Sequence, residues 1–364
     1  MKLALVVPGG VDRDGERRVI PALLALIERL SGHHEVHVFA LHQEAGPGEW
    51  TLGGAHVHNI GEHWTRVRAI RALRREHRRA PFDRIQAIFS GSCGLVAVAA
   101  ARSLGVRSLV HVAGGELVAL HGIGYGGRRR WISRLREALV LRAADAVSAA
   151  SRPMLDRLRE LGIAADRVPL GVDLRAWPPV APRRRDRATA RLVHVASLNR
   201  VKDQATLLRA LSLLARDQPA FTLDVVGVDT LDGEMQALAG ELGLAHRVRF
   251  HGFRTQRELR PLLVAADLHV MSSRHEAGPL AAMEAAVVGV PTVGTAVGHL
   301  VEWAPAAAAI VPVGDAEALA GAIARVLGDE ALRLRMALTA QQLAIRQDAD
   351  ATARAFEALY RQWS

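Results

Sequence analysis

Two glutamates with seven residues between them, Glu276 and Glu284, lie in the stretch S-S-R-H-E-A-G-P-L-A-A-M-E-A-A-V-V-G-V-P-T-V-G-T at residues 272–295. An apolar strand ends near Ser272, a turn containing Gly278 and Pro279 follows, and a helix starts at Pro279 or Leu280. Proline suits that first helical position because its missing N–H would have no partner there anyway. The free amides of such a turn and the helix dipole form a site for an anion, a diphosphate in particular. With Glu276 on the loop and Glu284 inside the helix, two carboxylates can hold different hydroxylated parts of one ligand. The spacing alone is weak: 19 glutamates in 364 residues give such a pair about once by chance. The weight falls on the ensemble of strand, Gly-Pro turn, helix and the trailing G-V-P-T-V-G-T.

That ensemble resembles the E-x7-E signature of the retaining glycosyltransferases of family 4, which have the GT-B fold. The family usually places Gly-Phe-Gly after the first glutamate, whereas this chain has Ala277, Gly278 and Pro279. R-L-V-H-V-A-S-L-N-R-V-K-D-Q is similar to the family's opening strand and loop of the second domain. Lys202 occupies the position of the diphosphate-gripping lysine, and it and Lys2 are the only lysines. Ser197 stands where an arginine is common, and Arg200 is the nearby candidate to supply that charge; a solvated helix start is the other reading of Lys202. V-R-F-H-G-F, with Gly252 and Phe253, resembles the segment that frames the nucleobase, and A-V-G-H-L-V-E, with Glu302, the following glycine-rich turn.

The first half carries a looser resemblance. P-G-G-V-D-R-D-G is similar to the family's glycine loop after strand one, where Gly9, Gly10 and Gly15 would let backbone approach phosphate or acceptor. The alternative is a plain connection from strand to helix. H-V-A-G-G-E-L-V resembles the acceptor-side His-Gly-x-Asp stretch, here with Gly114, Gly115 and Glu116. Ala113 holds the usual histidine position, so His111, two residues earlier on the same strand face, is the candidate to replace it; a hydrogen-bonded core histidine is the competing reading.

The resemblance implies transfer of a hexosyl unit from a nucleotide-diphosphate sugar to a glycan, lipid-linked or small-molecule acceptor, with retention. Glu276 would meet the sugar, Glu284 the ribose, and Lys202, Arg200 and the amides near Gly278 to Leu280 the diphosphate. The nucleotide sugar is a co-substrate; no cofactor and no metal is expected, since no His-Glu-x-x-His or suitably placed Asp-x-Asp occurs. No G-x-S-x-G or Cys-His arrangement points to a hydrolase. A nucleotide-sugar isomerase of the same scaffold and a nucleotide-sugar-binding protein without turnover are the rival readings.

Short apolar runs alternate with helical patterns throughout, which predicts two doubly wound α/β units facing each other across a cleft. Strands are expected at Leu3–Val7, Glu35–Ala40, His56–Ile60, Ile85–Phe89, Ser108–Ala113 and Ala146–Ala149, and helices over Glu16–Leu30 and Trp131–Arg142. A second series follows at Leu192–Ala196, Thr222–Val226, Val248–Phe250, Leu268–Met271, Thr292–Gly294 and Ile310–Val313. Pro178, Pro179, Pro182 and an arginine cluster mark a solvated linker at Gly171–Ala190. The expected divisions are 1–172, an acceptor-side domain, 173–345, a nucleotide-sugar domain, and 346–364, a terminal helix that packs back on the first.

Composition adds boundaries. The single cysteine, Cys93, precludes an intrachain disulfide and fits a reducing cytoplasm. M-K-L-A-L-V-V-P-G-G reads as a strand rather than a signal peptide, and no apolar run reaches the length of a membrane span. The net charge of +10 is almost all arginine, and aromatics are too few for stacking on single strands, so no nucleic acid is expected. W-T-R-V-R-A-I-R-A-L-R-R-E-H-R-R, residues 64–79, holds seven arginines beside Val67, Ile70 and Leu73. It reads either as a helix packing that stripe on the sheet or as a peripheral contact with an anionic membrane at the inner face of the plasma membrane.

Overall fold

The computed structural model describes residues 1–217 and 220–362, and divides them into two compact units. The first comprises Met1–Gly171 and the chain from Gln347 onward; the second comprises Val172–Arg346.

In the first unit the strands are β1 (Lys2–Val7), β2 (Glu35–Ala40), β3 (Gly48–Leu52), β4 (Ala55–Asn59), β5 (Arg84–Ile88), β6 (Arg107–Val112), β7 (Ala146–Ala149) and β8 (Asp166–Arg167). Its helices are α1 (Pro21–Ser31), α2 (Thr65–Arg79), α3 (Ser92–Leu104), α4 (Trp131–Ala143) and α5 (Arg152–Glu160). The sheet order is β3-β4-β2-β1-β5-β6-β7-β8, parallel except for β3 against β4. Strands buried on both faces read as near-continuous apolar runs; β1 is buried at all six positions, apolar from Leu3 to Val7, with Lys2 at its start paired to Glu76.

The second unit has β9 (Ala190–Val195), β10 (Phe221–Val226), β11 (Val248–Phe250), β12 (Leu268–Met271), β13 (Thr292–Thr295) and β14 (Ala308–Val311). Around them lie α6 (Gln204–Asp217), α7 (Glu234–Glu241), α8 (Gln256–Ala265), α9 (Leu280–Val287), α10 (Leu300–Trp303), α11 (Ala316–Gly328) and α12 (Glu330–Arg346). The order β11-β10-β9-β12-β13-β14 is all parallel. It is the dinucleotide-fold order, whose direction of progression reverses between β9 and β12, the place where such sheets bind ligands. In the first unit the reversal falls between β1 and β5.

The last helix, α13 (Ala349–Arg361), belongs to the first unit and packs on α1. Asp348 caps it by accepting from Ala351 N–H at 2.7 Å. Phe356, Leu359 and Tyr360 are buried, each contributing about 1.5–3 kcal/mol of hydrophobic stabilisation. Trp363, the end of the terminal run, lies outside the described residues.

Three local expectations are corrected. The helix expected from Glu16 begins only at Pro21, because proline fixes the first helical φ and the preceding segment is held in a loop by Gly10 and Gly15, both at positive φ. Strand β3 was not anticipated: its signal is the Gly53-Gly54 turn, with both glycines at positive φ, which suits a two-residue hairpin. The linker is less solvated than its composition implies, since Trp177 is buried and Arg183 donates to the carbonyls of Val264 and Ala265.

Candidate functional site

The loops that leave β9 and β12 flank the reversal point of the second unit and are clipped together. Arg274 N–H donates to Val201 O at 2.7 Å, Ser272 Oγ to Lys202 O at 2.9 Å, and Arg274 Nε to Asp203 Oδ2 at 2.9 Å. Asn199 shapes the first loop as an Asx turn, its Oδ1 accepting from Val201 and Lys202 N–H. Gln204 fixes the loop's entry by donating to Ser197 O and to His194 Nε2, both at 3.1 Å. Burial lowers the His194 pKa to about 4, so its neutral ring can accept from Gln204 while Nδ1–H donates to Val270 O.

Within this frame Lys202 Nζ reaches Glu276 Oε1 at 2.6 Å, and Ser273 Oγ donates to the same oxygen at 2.7 Å. The Glu276 side chain is 13% exposed and that of Lys202 25%, enough desolvation to strengthen the pair while both remain reachable. Pro279 is the residue before α9, with Leu280 first in the helix, so the helix N-terminus opens beside this pair. The end of β13 and the turn after it pack over it: Thr295 Oγ1, at the strand's last residue, donates to Ser273 O at 2.6 Å. A Cβ on Gly298, at φ +54, would sit 2.7 Å from Pro279 and 3.3 Å from Glu276.

Glu284 has a different setting. It is buried, accepts from Gln256 Nε2 of α8 at 3.1 Å, and desolvation raises its pKa to about 8. The side-chain amide of Gln256 offers only part of the stabilisation a buried carboxylate needs, so the proton stays on at neutral pH. Ser197 is exposed at the end of β9. Arg200 is turned to Glu234 at 2.8 Å and is 57% exposed, so it is not brought to Glu276. At the end of β11, Gly252, at positive φ, accepts from Gly227 N–H, and Phe253 beside it is exposed.

The first-unit candidates are largely occupied by their own neighbours. Gly10 and Val11 N–H donate to Gln43 Oε1 at 2.7 and 3.0 Å, so these two amides of the glycine loop already have a partner. A Cβ on Gly10 would meet the Ile20 side chain at 2.5 Å, and Gly9 lies against Gln43, while Gly15 turns the loop at positive φ. His111 is fully buried on β6, with Nδ1 bonded to Ser148 Oγ at 2.9 Å and the ring edge-on to Phe356. Burial lowers its pKa to about 3, a neutral ring inside the core and the competing reading realised in geometry. Glu116 clamps two loops, accepting from Ser90 N–H at 3.1 Å and Gly114 N–H at 2.7 Å. Gly115 makes room for the Tyr125 ring.

Sequence reasoning passed over Ser273, Asn199, Gln204, Gln256 and Gln43. Gln256 and Gln43 act through side-chain hydrogen bonds to groups distant in the chain, Glu284 and the amides of Gly10 and Val11, whereas Ser273, Gln204 and Asn199 bond to near neighbours, and the Asx turn of Asn199 to Lys202 is a legible local signal. Among the described residues no group of three or more His, Cys, Asp or Glu is gathered as metal ligands, and no helix is long and apolar enough to cross a membrane.

The family described as Glycosyl transferases group 1 matches residues 182–343, and the Glycosyl transferase 4-like domain matches residues 19–171. Glycogen synthase from Mycobacterium tuberculosis is 31% identical over 236 residues, a match spanning 61% of this chain and 57% of the length of that protein. Sucrose-phosphate synthase from Thermosynechococcus elongatus has a similar fold, with a TM-score of 0.82 at 20% identity over 100% of this chain and 99% of that one. Anabaena HepE in complex with UDP aligns with a TM-score of 0.77 at 18% identity over all of both chains. With one glycosyltransferase domain matched on each unit and the two-unit fold shared end to end, the chain belongs to the family-4-like superfamily of GT-B-fold glycosyltransferases.

Proposed function

We propose that the protein is a metal-independent, retaining glycosyltransferase that moves a hexosyl unit from a nucleotide-diphosphate sugar to a glycan or lipid-linked acceptor in the cytoplasm. The observation that carries this is the Lys202–Glu276 pair at 2.6 Å, held at the reversal point beside the N-terminus of α9. A diphosphate laid over the turn at Gly278 to Leu280 would compete for the Lys202 ammonium, and Glu276 would then be released to the sugar. Family relatives and the UDP-bound neighbour support a nucleotide-linked donor.

In this reading the bond from the anomeric carbon to the diphosphate oxygen breaks as the acceptor oxygen forms a new bond on the same face. The acceptor proton passes to the departing phosphate oxygen. Glu276 stabilises positive charge developing on the sugar ring, and Lys202 with the helix N-terminus stabilises negative charge on the leaving group. Glu284 meets the ribose hydroxyls, releasing its proton to solvent and accepting their hydrogen bonds. The buried Cys93 has no part in this chemistry.

Incubation with a panel of nucleotide sugars, with and without glycan acceptors, tests the proposal. Acceptor-dependent nucleotide release, with a product whose anomeric configuration by NMR equals the donor's, is the expected result. An altered sugar without release would make the protein an isomerase, and binding without turnover would make it a sensor; inversion would overturn the stereochemistry alone.

A further inference from the structure

The outward face of α4 reverses the usual order of polar and apolar residues. Trp131, Ile132, Leu135 and Leu139 are 71%, 60%, 54% and 61% exposed, while Glu137 on the same helix is buried. The i, i+1, i+4, i+8 spacing puts the four apolar side chains on one stripe. A carboxylate turned inward and four large hydrophobes turned outward oppose what water favours on both sides of the helix. Glu137 Oε1 is only within 3.9 Å of Arg128 Nη1 and has no hydrogen-bond partner among the described residues.

Helix α2 repeats part of this pattern. Trp64 and Val67 are exposed at its start, whereas Leu73 and Ala69 pack inward, so the stripe read from the sequence splits between core and surface. Both helices pack on α3. Near the first turn of α3, Arg66 of α2 donates to Ser92 Oγ at 3.3 Å, and Val140 of α4 fills the space beside Gly94. Apart from Met1, every large hydrophobe exposed in the described first unit lies on α4, on α2 or at the α2 cap.

Charge is gathered on the same two segments. Thr65–Arg79 holds seven arginines and one acid, and residues 127–143 hold six arginines and one acid, which together outweigh the chain's net charge of +10. The rest of the sequence is therefore close to neutral. The two acids, Glu76 and Glu137, are both buried, so the exposed charge of the two helices is wholly cationic.

We propose that the α4 face, together with the exposed start of α2, which packs on the same helix α3, seats the first unit on the surface of an anionic lipid bilayer. Tryptophan and aliphatic side chains enter the boundary between headgroups and acyl chains, and the flanking arginines meet lipid phosphates. Arg68, Arg71 and Arg75 also line an open recess against the β3–β4 edge, where a headgroup finds several donors at once. A second copy of the same face is a poor occupant, because a symmetric pairing would set arginines against arginines. This inference goes beyond the transfer reaction and stands or falls separately from it.

Co-sedimentation of the full chain with mixed phosphatidylcholine and phosphatidylglycerol vesicles, and with pure phosphatidylcholine vesicles, tests it. Binding to the anionic vesicles, loss of binding on pure phosphatidylcholine and weakening at high salt are expected. The triple variant Ile132→Ser, Leu135→Ser, Leu139→Ser, and separately Arg129→Ala, Arg130→Ala, Arg134→Ala, should each weaken partitioning more than about tenfold. Both should keep the wild-type melting temperature and the wild-type turnover of a soluble acceptor. Absence of binding to anionic vesicles, or binding that the serine variant leaves unchanged, overturns the proposal. So does a concentration-dependent dimer that the serine variant dissociates, since another copy would then cover the face.

Discussion

The loop after β1 in the first unit and the loops after β9 and β12 in the second occupy equivalent places, each at the point where the strand order reverses. In the first, Gln43 takes the amides of Gly10 and Val11, and Glu116 takes those of Ser90 and Gly114. In the second, the same kind of clipping closes the frame through Arg274, Ser272 and Asn199, yet leaves a lysine and a glutamate facing one another. A shared topology thus offers two places for a ligand, and side-chain satisfaction decides which retains charge for chemistry.

The strongest way to break this contrast is Glu276→Gln, which should lower kcat about a hundredfold while leaving nucleotide affinity nearly unchanged. Steady-state kinetics with isothermal titration of the nucleotide reads both, and wild-type turnover would remove Glu276 from the site. Lys202→Ala should weaken nucleoside diphosphate binding about tenfold and lower kcat as well. By contrast Gly10→Ala in the first unit should act on folding, costing about 1–3 kcal/mol through its positive φ and the Ile20 clash. Denaturant unfolding checks the loss, and nucleotide affinity should hold.

Glu284 sharpens the comparison through pH. It keeps its proton in the fold up to about pH 8 and loses it in the unfolded chain near its ordinary 4.5. The native state holds the extra proton between those values, so stability falls as pH rises through that window, by up to about 1.4 kcal/mol per unit. Glu284→Gln should flatten that slope and melt above wild type near the upper end, with little difference near the lower end. Thermal melts across the range decide it. The smallest effect belongs to His111→Asn, expected to lower the melting temperature and to change kcat by less than about twofold; a large fall in kcat at unchanged stability would return that ring to the reaction.

Much of the second unit was legible because its signals are local. Strand β12, the Gly-Pro turn and α9 follow one another within twenty residues, and each element's residues declare it: a short, mostly apolar run, a proline beside the helix start, an alanine-rich helix. Helix α4 was placed within a residue, yet its orientation was not legible, because a helix with apolar residues on several faces does not announce which of them the sheet will cover. The hairpin strand β3 was missed although Gly53-Gly54 marked it. His111 could not be assigned to site or core from strand alternation, which distinguishes faces and not depths.

From the sequence alone came the alternation of strands and helices, the doubly wound class, the ensemble around Glu276 and the concentration of arginine at 64–79, all properties of residues near one another in the chain. Tertiary structure decided the rest. It paired Lys202 with Glu276 across 74 residues, turned Arg200 to Glu234, buried Glu284 against Gln256 and gave the first glycine loop to Gln43. It also set Glu137 inside and Leu135 outside. The reason is physical: periodicity specifies what an element is, whereas a hydrogen bond or an ion pair between distant residues exists only once packing has fixed both ends and removed the water between them.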